Sequence, residues 1–153
     1  MALKGKLETE IEIKADAQKF YETFKQQSHQ VPNATDHIQA VAVHEGDWET
    51  HGSVKIWQYT VEGNAEVFKE KVEFDDASRT VTLVGVEGDV MKSYKTFKVI
   101  YKATPKADGG LARATVTNTI EYEKLRADVP APNKYFTMMV NIAKDVDAHL
   151  VKA

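Results

Sequence analysis

The chain has 153 residues and a net charge of −3, with 20 Lys/Arg, 23 Asp/Glu and no cysteine. That length fits one domain, residues 1–153, with a core of its own. The interspersed charge leaves no basic face for nucleic acid and no polybasic run for a membrane surface, and the lack of cysteine removes disulfides and thiolate chemistry. No apolar stretch nears the ~20 residues of a membrane span, and residues 1–6 lack the apolar core of a signal peptide. A cytoplasmic protein that does not insert into membranes is expected.

Residues 3–13 alternate: Leu7, Thr9, Ile11 and Ile13 share one face, and Lys6, Glu8, Glu10 and Glu12 the other. Period-two alternation predicts a strand with one wet face. Asp16 is placed to cap a helix running to about residue 27, with Phe20, Tyr21 and Phe24 at helical spacing. Pro32 limits a second helix to a turn or two. Six further strands are expected over residues 38–44, 54–61, 66–74, 80–86, 91–104 and 111–123, each rich in β-branched or aromatic residues and separated by turn residues. Short connections favour antiparallel pairing. From Asn133 to about Val151 the apolar period is helical, through Tyr135, Met139, Ile142, Val146 and Leu150.

The expected fold class is α+β: a seven-stranded antiparallel sheet, two short helices after the first strand and a long C-terminal helix. Twisted strands make such a sheet curl, and the long helix is the element able to cover its concave face. Small or polar residues on the strand from Leu111 suggest a gap between sheet and helix rather than a solid core. On the strand from Met91, the face carrying Met91, Ser93, Lys95, Phe97, Val99 and Tyr101 is expected to point inward.

The loop Glu45-Gly46-Asp47-Trp48-Glu49-Thr50-His51-Gly52-Ser53 invites comparison with a phosphate cradle. It lacks the Gly-Lys-Ser/Thr ending, a strand rather than a helix follows it, and Asp47 and Glu49 would repel an anion. A hairpin loop is one reading; a pocket lip built on Gly46, Asp47, Trp48 and Gly52, or a loop that contacts a partner protein, is the other. Five histidines (29, 37, 44, 51 and 149) show no metal-ligand spacing, so no metal and no cofactor are expected.

Several segments together resemble a known family. They are residues 3–14, His44-Glu45-Gly46-Asp47-Trp48, Gly52-Ser53-Val54-Lys55-Ile56-Trp57, Lys69-Glu70-Lys71-Val72-Glu73 and Asp147-Ala148-His149-Leu150. Their order and spacing are similar to the plant major latex protein branch of the birch-pollen-allergen superfamily. The resemblance implies a helix-grip fold, in which the sheet wraps the long helix around a large cavity for hydrophobic plant metabolites such as steroids, cytokinins, flavonoids or fatty acids. It also implies an association with defence and stress. Allergen-type members carry several glycines inside the loop, where this chain has Trp48, Glu49, Thr50 and His51.

On this reading the protein is an intracellular carrier of a small hydrophobic ligand, monomeric or at most a weak dimer. The expected wall draws Phe20 and Phe24 from the first helix and Ile38, Trp57 and Tyr59 from the second and third strands. Val81 and Leu83, then Phe97, Val99 and Tyr101, follow from the middle of the sheet, and Met138, Met139 and Ile142 from the last helix. Lys55, Thr117 and His149 are expected polar anchors. The alternative is an isomerase or condensing enzyme in the same cavity, with acid–base candidates Lys55, Lys95, Arg113, Tyr59 and Tyr101. No constellation among them matches the family's alkaloid-forming enzymes.

Overall fold

The alternation at the start of the chain forms β1 (Lys4–Ile13) in the computed structural model, which describes residues 3–106 and 113–152. Helices α1 (Ala17–Lys25) and α2 (Val31–Ala34) follow, joined by a 3-10 turn at Ser28–Gln30. Then come β2 (Ile38–Glu45), β3 (Val54–Val61), β4 (Asn64–Asp75), β5 (Thr80–Gly88), β6 (Tyr94–Pro105), β7 (Ala114–Lys124) and α3 (Asn133–Lys152). The seven strands form one antiparallel sheet in the order β1-β7-β6-β5-β4-β3-β2. Residues 107–112, within the expected turn after Pro105 and the start of the strand expected from Leu111, lie outside the described residues.

Local chemistry sets these elements. Asp16 caps α1, its carboxylate accepting from the amides of Gln18 at 2.7 Å and Lys19 at 3.4 Å. Glu62 and Gly63, with φ of 49° and 81°, form the two-residue connection that pairs Val61 with Asn64. Positive φ at both central positions matches the twist of the flanking strands. Register shifts lie at Ile38/Ala40, Val43/Glu45, Lys69/Glu70 and Tyr94/Thr96. Such bulges bend strands and help curve the sheet.

The bulge in β6 corrects the expected face of that strand. Val90–Lys92 is a 3-10 turn, and β6 begins only at Tyr94. The shift between Tyr94 and Thr96 then turns Tyr94 inward with Phe97, Val99 and Tyr101, while Lys95 is exposed 3.8 Å from Glu123. Alternation counted back from Phe97 misplaces Lys95 because the extra residue breaks the period.

Helix α3 lies across the concave face and is fastened by hydrogen bonds to its backbone and side chains. The phenol of Tyr101 donates to the Met139 carbonyl at 2.7 Å. The phenol of Tyr135 donates to Glu66 on β4 at 2.8 Å. Near the other end, Asp147 accepts from the amides of Lys14 at 3.1 Å and Ala15 at 2.8 Å, where the chain passes from β1 to α1. Thr35 donates to Asp145 at 2.7 Å. A buried cluster including Phe20, Val72, Val116, Ile120, Ala143 and Val146 fills the space between helix and sheet.

Asp147 satisfies two amides that no strand or helix partner reaches. Asp147→Ala should destabilise the protein by about 1–3 kcal/mol, read as a lower midpoint in urea unfolding with an unchanged slope. An unchanged midpoint would assign the fastening of α3 to its apolar face alone.

Candidate functional site

Beneath α3 the sheet and helices form an apolar cavity of about 70 Å³. Its wall brings together residues from every layer. Phe24 comes from α1 and Ile38, Trp57 and Tyr59 from β2 and β3; Leu83 comes from β5 and Phe97, Val99 and Tyr101 from β6, with Met138, Met139 and Ile142 from α3. Each of these was expected from the sequence. Val31, Phe68, Val90 and Tyr135 also line it. Phe68 and Tyr135 were legible in principle: one alternates with Glu70 and Val72 on β4, and the other opens the apolar stripe of α3.

The cavity is far narrower than the resemblance implies, since ligand pockets span roughly 300–1,000 Å³. Bulky rings fill much of the concave face. Phe24 stacks on Tyr101 with centroids 4.5 Å apart, and Phe97 meets Phe68 at 6.0 Å and Tyr135 at 5.8 Å edge-on. The small residues of β7 that suggested a gap are instead buried under the helix: Ala114 and Val116 are both fully inaccessible.

Five expected residues stand elsewhere. Phe20 and Val81 are buried in the core beside the cavity rather than on its wall. Thr117 is on the outer face of β7, because Ala114, Val116 and Asn118 take the inward positions. His149 is exposed on the solvent side of α3, one position removed from the buried stripe through Ile142 and Val146. Lys55 points inward but does not reach the cavity.

Lys55 belongs to a polar cluster at the loop end of the sheet. Its amine donates to the Trp48 carbonyl at 3.3 Å and lies 5.7 Å from the centre of the Trp48 ring. Glu70, paired with Lys55 across β3 and β4, accepts from the indole of Trp57 at 2.8 Å. Lys55 and Glu70 are both fully inaccessible. Burial pushes the Glu70 carboxyl up to about 7, against the opposing pull of the Trp57 hydrogen bond and the Lys55 charge. Burial also lowers the Lys55 amine, opposed by the charges of Glu70 and Asp47.

The loop from Glu45 to Ser53 closes on itself. Asp47 accepts from the amides of Glu49 at 2.9 Å and Thr50 at 2.7 Å and from the Thr50 hydroxyl at 2.9 Å, bonds that hold its carboxyl below the usual range. Gly46 and Gly52, with φ of 83° and 88°, make the left-handed turns at its ends. His51 accepts from the Phe74 amide at 3.1 Å, and Trp48 packs edge-on against His29 at 5.0 Å. With these amides turned onto Asp47, the loop offers no anion cradle. Gly46, Asp47, Trp48 and Gly52 cap the hairpin, and Trp48 covers Lys55; none of the four lines the cavity.

A second hollow of about 300 Å³ opens outside the cavity, between the β3–β4 turn and the first turns of α3. His37, Glu62, Lys134, Thr137 and Asn141 make it polar. Met138 lines both spaces.

The raised Glu70 carboxyl has a direct consequence for stability. Its folded value of about 7 lies above the ordinary 4.5, so the cost of ionising it in the core is absent below about 4.5 and complete above about 7. That shift corresponds to about 3 kcal/mol. Glu70→Gln keeps an acceptor for Trp57 and should gain stability relative to the parent as pH rises through that window, measured by urea unfolding across pH. A difference that stays flat with pH would mean the carboxyl ionises at its ordinary value.

Comparison with known proteins places the whole chain. Residues 2–153 match the model of the Pathogenesis-related protein Bet v 1 family. MLP-like protein 328 of Arabidopsis thaliana is 39% identical over 155 residues, covering 100% of both chains. Major latex protein 22 of Papaver somniferum is 38% identical over 149 residues, covering 97% of this chain and 91% of its own. The crystal structure of major latex-like protein 151 from Panax ginseng superposes with a TM-score of 0.88 at 35% identity, covering 97% of this chain and 98% of that one. With the seven-stranded sheet gripping α3 in place, these likenesses establish that the chain belongs to the Bet v 1 family and is similar throughout to its major latex proteins.

Proposed function

We propose that the protein binds and carries a small hydrophobic molecule between the sheet and α3. The observation that carries this reading is the position of Met138, which lines both the apolar cavity under α3 and the neighbouring polar hollow. A methionine is unbranched and soft, and its rotation can join two spaces at small cost. Joined, they form a recess of ligand size with an aromatic floor and a polar rim, as small-molecule sites commonly have. Met139 on the adjacent wall adds the same adaptability.

The natural ligand on this reading is a plant metabolite with a compact apolar body, and the carrier works inside the cell in defence or stress responses. The family's pathogenesis-related description supports that setting. The carrier reading is preferred to catalysis because the cations a reaction would use are placed away from the cavity. Lys95 pairs with Glu123 outside, Arg113 is exposed, and Lys55 is sealed beneath Trp48.

Titration with a neutral environment-sensitive dye should give saturable binding with blue-shifted emission and quenching of Trp57, which stands in the cavity wall. The absence of saturable binding by any apolar dye would overturn the carrier reading. Met138→Trp should slow dye association about tenfold or more in stopped-flow mixing, whereas Met138→Ala should speed it, both with unfolding midpoints recorded alongside. Equal association rates in the two variants would place the entrance elsewhere.

A further inference from the structure

The polar groups of the cavity wall share one property. Each hydrogen they could donate is already committed. Tyr59 and Tyr135 both donate to the same oxygen of Glu66, Oε1, each at 2.8 Å. Tyr101 donates to the Met139 carbonyl, which can only accept. The indole of Trp57 donates to Glu70 at 2.8 Å. These four are the side chains of the wall that carry an N–H or O–H. What remains open is acceptor capacity on the three phenol oxygens.

The surrounding core repeats the pattern. Among the described residues, the buried side-chain polar atoms without a partner are Asn118 Oδ1, an acceptor, and Glu70 Oε2, an acceptor whenever that carboxyl is ionised. Burial and the Glu66 carboxylate raise Tyr59 and Tyr135 well above the ordinary phenol value, and burial alone raises Tyr101, so all three keep their hydrogens at neutral pH. The cations nearest this region are outside the cavity. Lys55 is under Trp48, and Lys134 lies in the outer hollow, 5.1 Å from the centre of the Tyr135 ring.

We infer that the cavity selects an apolar ligand headed by a hydrogen-bond donor, a hydroxyl or an amine, over one headed by a carboxylate or another pure acceptor. This rests on the carrier reading above. A hydroxyl or N–H that reaches Tyr59, Tyr101 or Tyr135 can donate to a phenol oxygen without breaking any bond the wall already makes. An acceptor head is paired only if a phenol first leaves half-buried Glu66 or the buried Met139 carbonyl, so each such pairing costs a hydrogen bond, and at Met139 leaves a carbonyl unpaired in the core. Leaving one buried polar group unpaired costs enough to change affinity by about tenfold or more. A protonated amine gains further from the Glu66 carboxylate and from the ring faces of Trp57, Tyr59 and Tyr135.

A matched series tests this: octanol, octylamine, octanoate and methyl octanoate, each displacing the neutral dye N-phenylnaphthylamine from the wild-type protein. The methyl ester is the deciding control, being uncharged and lacking a donor. The alcohol and the amine should displace the dye at concentrations about tenfold lower than the ester and the carboxylate. In Glu66→Gln the side-chain amide can donate to one phenol oxygen and release that phenol's hydrogen. The ester should then approach the alcohol, and any advantage of the amine over the alcohol should shrink to what the ring faces supply. An ester or carboxylate that binds wild type as tightly as the alcohol overturns the donor preference while leaving the carrier reading in place. A dye that never binds saturably removes both.

Discussion

The hydrogen bond from Tyr101 to the Met139 carbonyl is the contact around which the rest of the molecule is arranged. It joins the middle of the sheet to the middle of α3, and both partners stand on the cavity wall. Because the phenol is fully buried, neither its hydrogen nor the carbonyl can turn to water when the bond breaks. The helix is therefore held at a fixed height above the sheet. Around that bond, Phe20 and Phe24 pack on the Tyr101 ring from α1, so the same side chain links three layers.

A helix pinned in this way gives a cavity whose size is set by side chains rather than by movement of whole elements. The rings of Phe68, Phe97 and Tyr135 take up most of the space, and the unbranched side chains of Met138 and Met139 can yield. The polar cluster of Lys55, Glu70 and Trp57 forms a second, separate layer towards the loop. There the costs of burying charge are offset only in part, which explains why burial governs both titrations.

Much of the fold was legible in the sequence because strand and helix periods are local. The alternation of β1, the Asp16 cap, the bounds of β3 and the stripe of α3 all follow from neighbouring residues. Most of the cavity wall followed too, since it is the inward half of those patterns. The errors arose where one residue changes the count or where a partner distant in sequence decides. The bulge after Tyr94 reversed Lys95, and the inward set of β7 left Thr117 outside. Trp48 covers Lys55 from a loop whose fold depends on Asp47 and on the Phe74 amide of β4. The narrowness of the cavity was not legible, because ring-on-ring packing between α1, β6 and α3 has no signature in any one segment.

The pairing of β1 with β7 carries a consequence for how the protein is made. Lys4 stands opposite Glu123, so the first strand waits for the last one before its ladder can form. Contacts of such long sequence separation slow folding, and during synthesis β1 must remain unpaired until most of the chain has left the ribosome. An unpaired strand of that kind invites pairing between chains. The alternating Lys4, Lys6, Glu8, Glu10 and Glu12 face then acts as a safeguard, keeping the waiting strand charged along its length until Asp147 and β7 arrive to hold it.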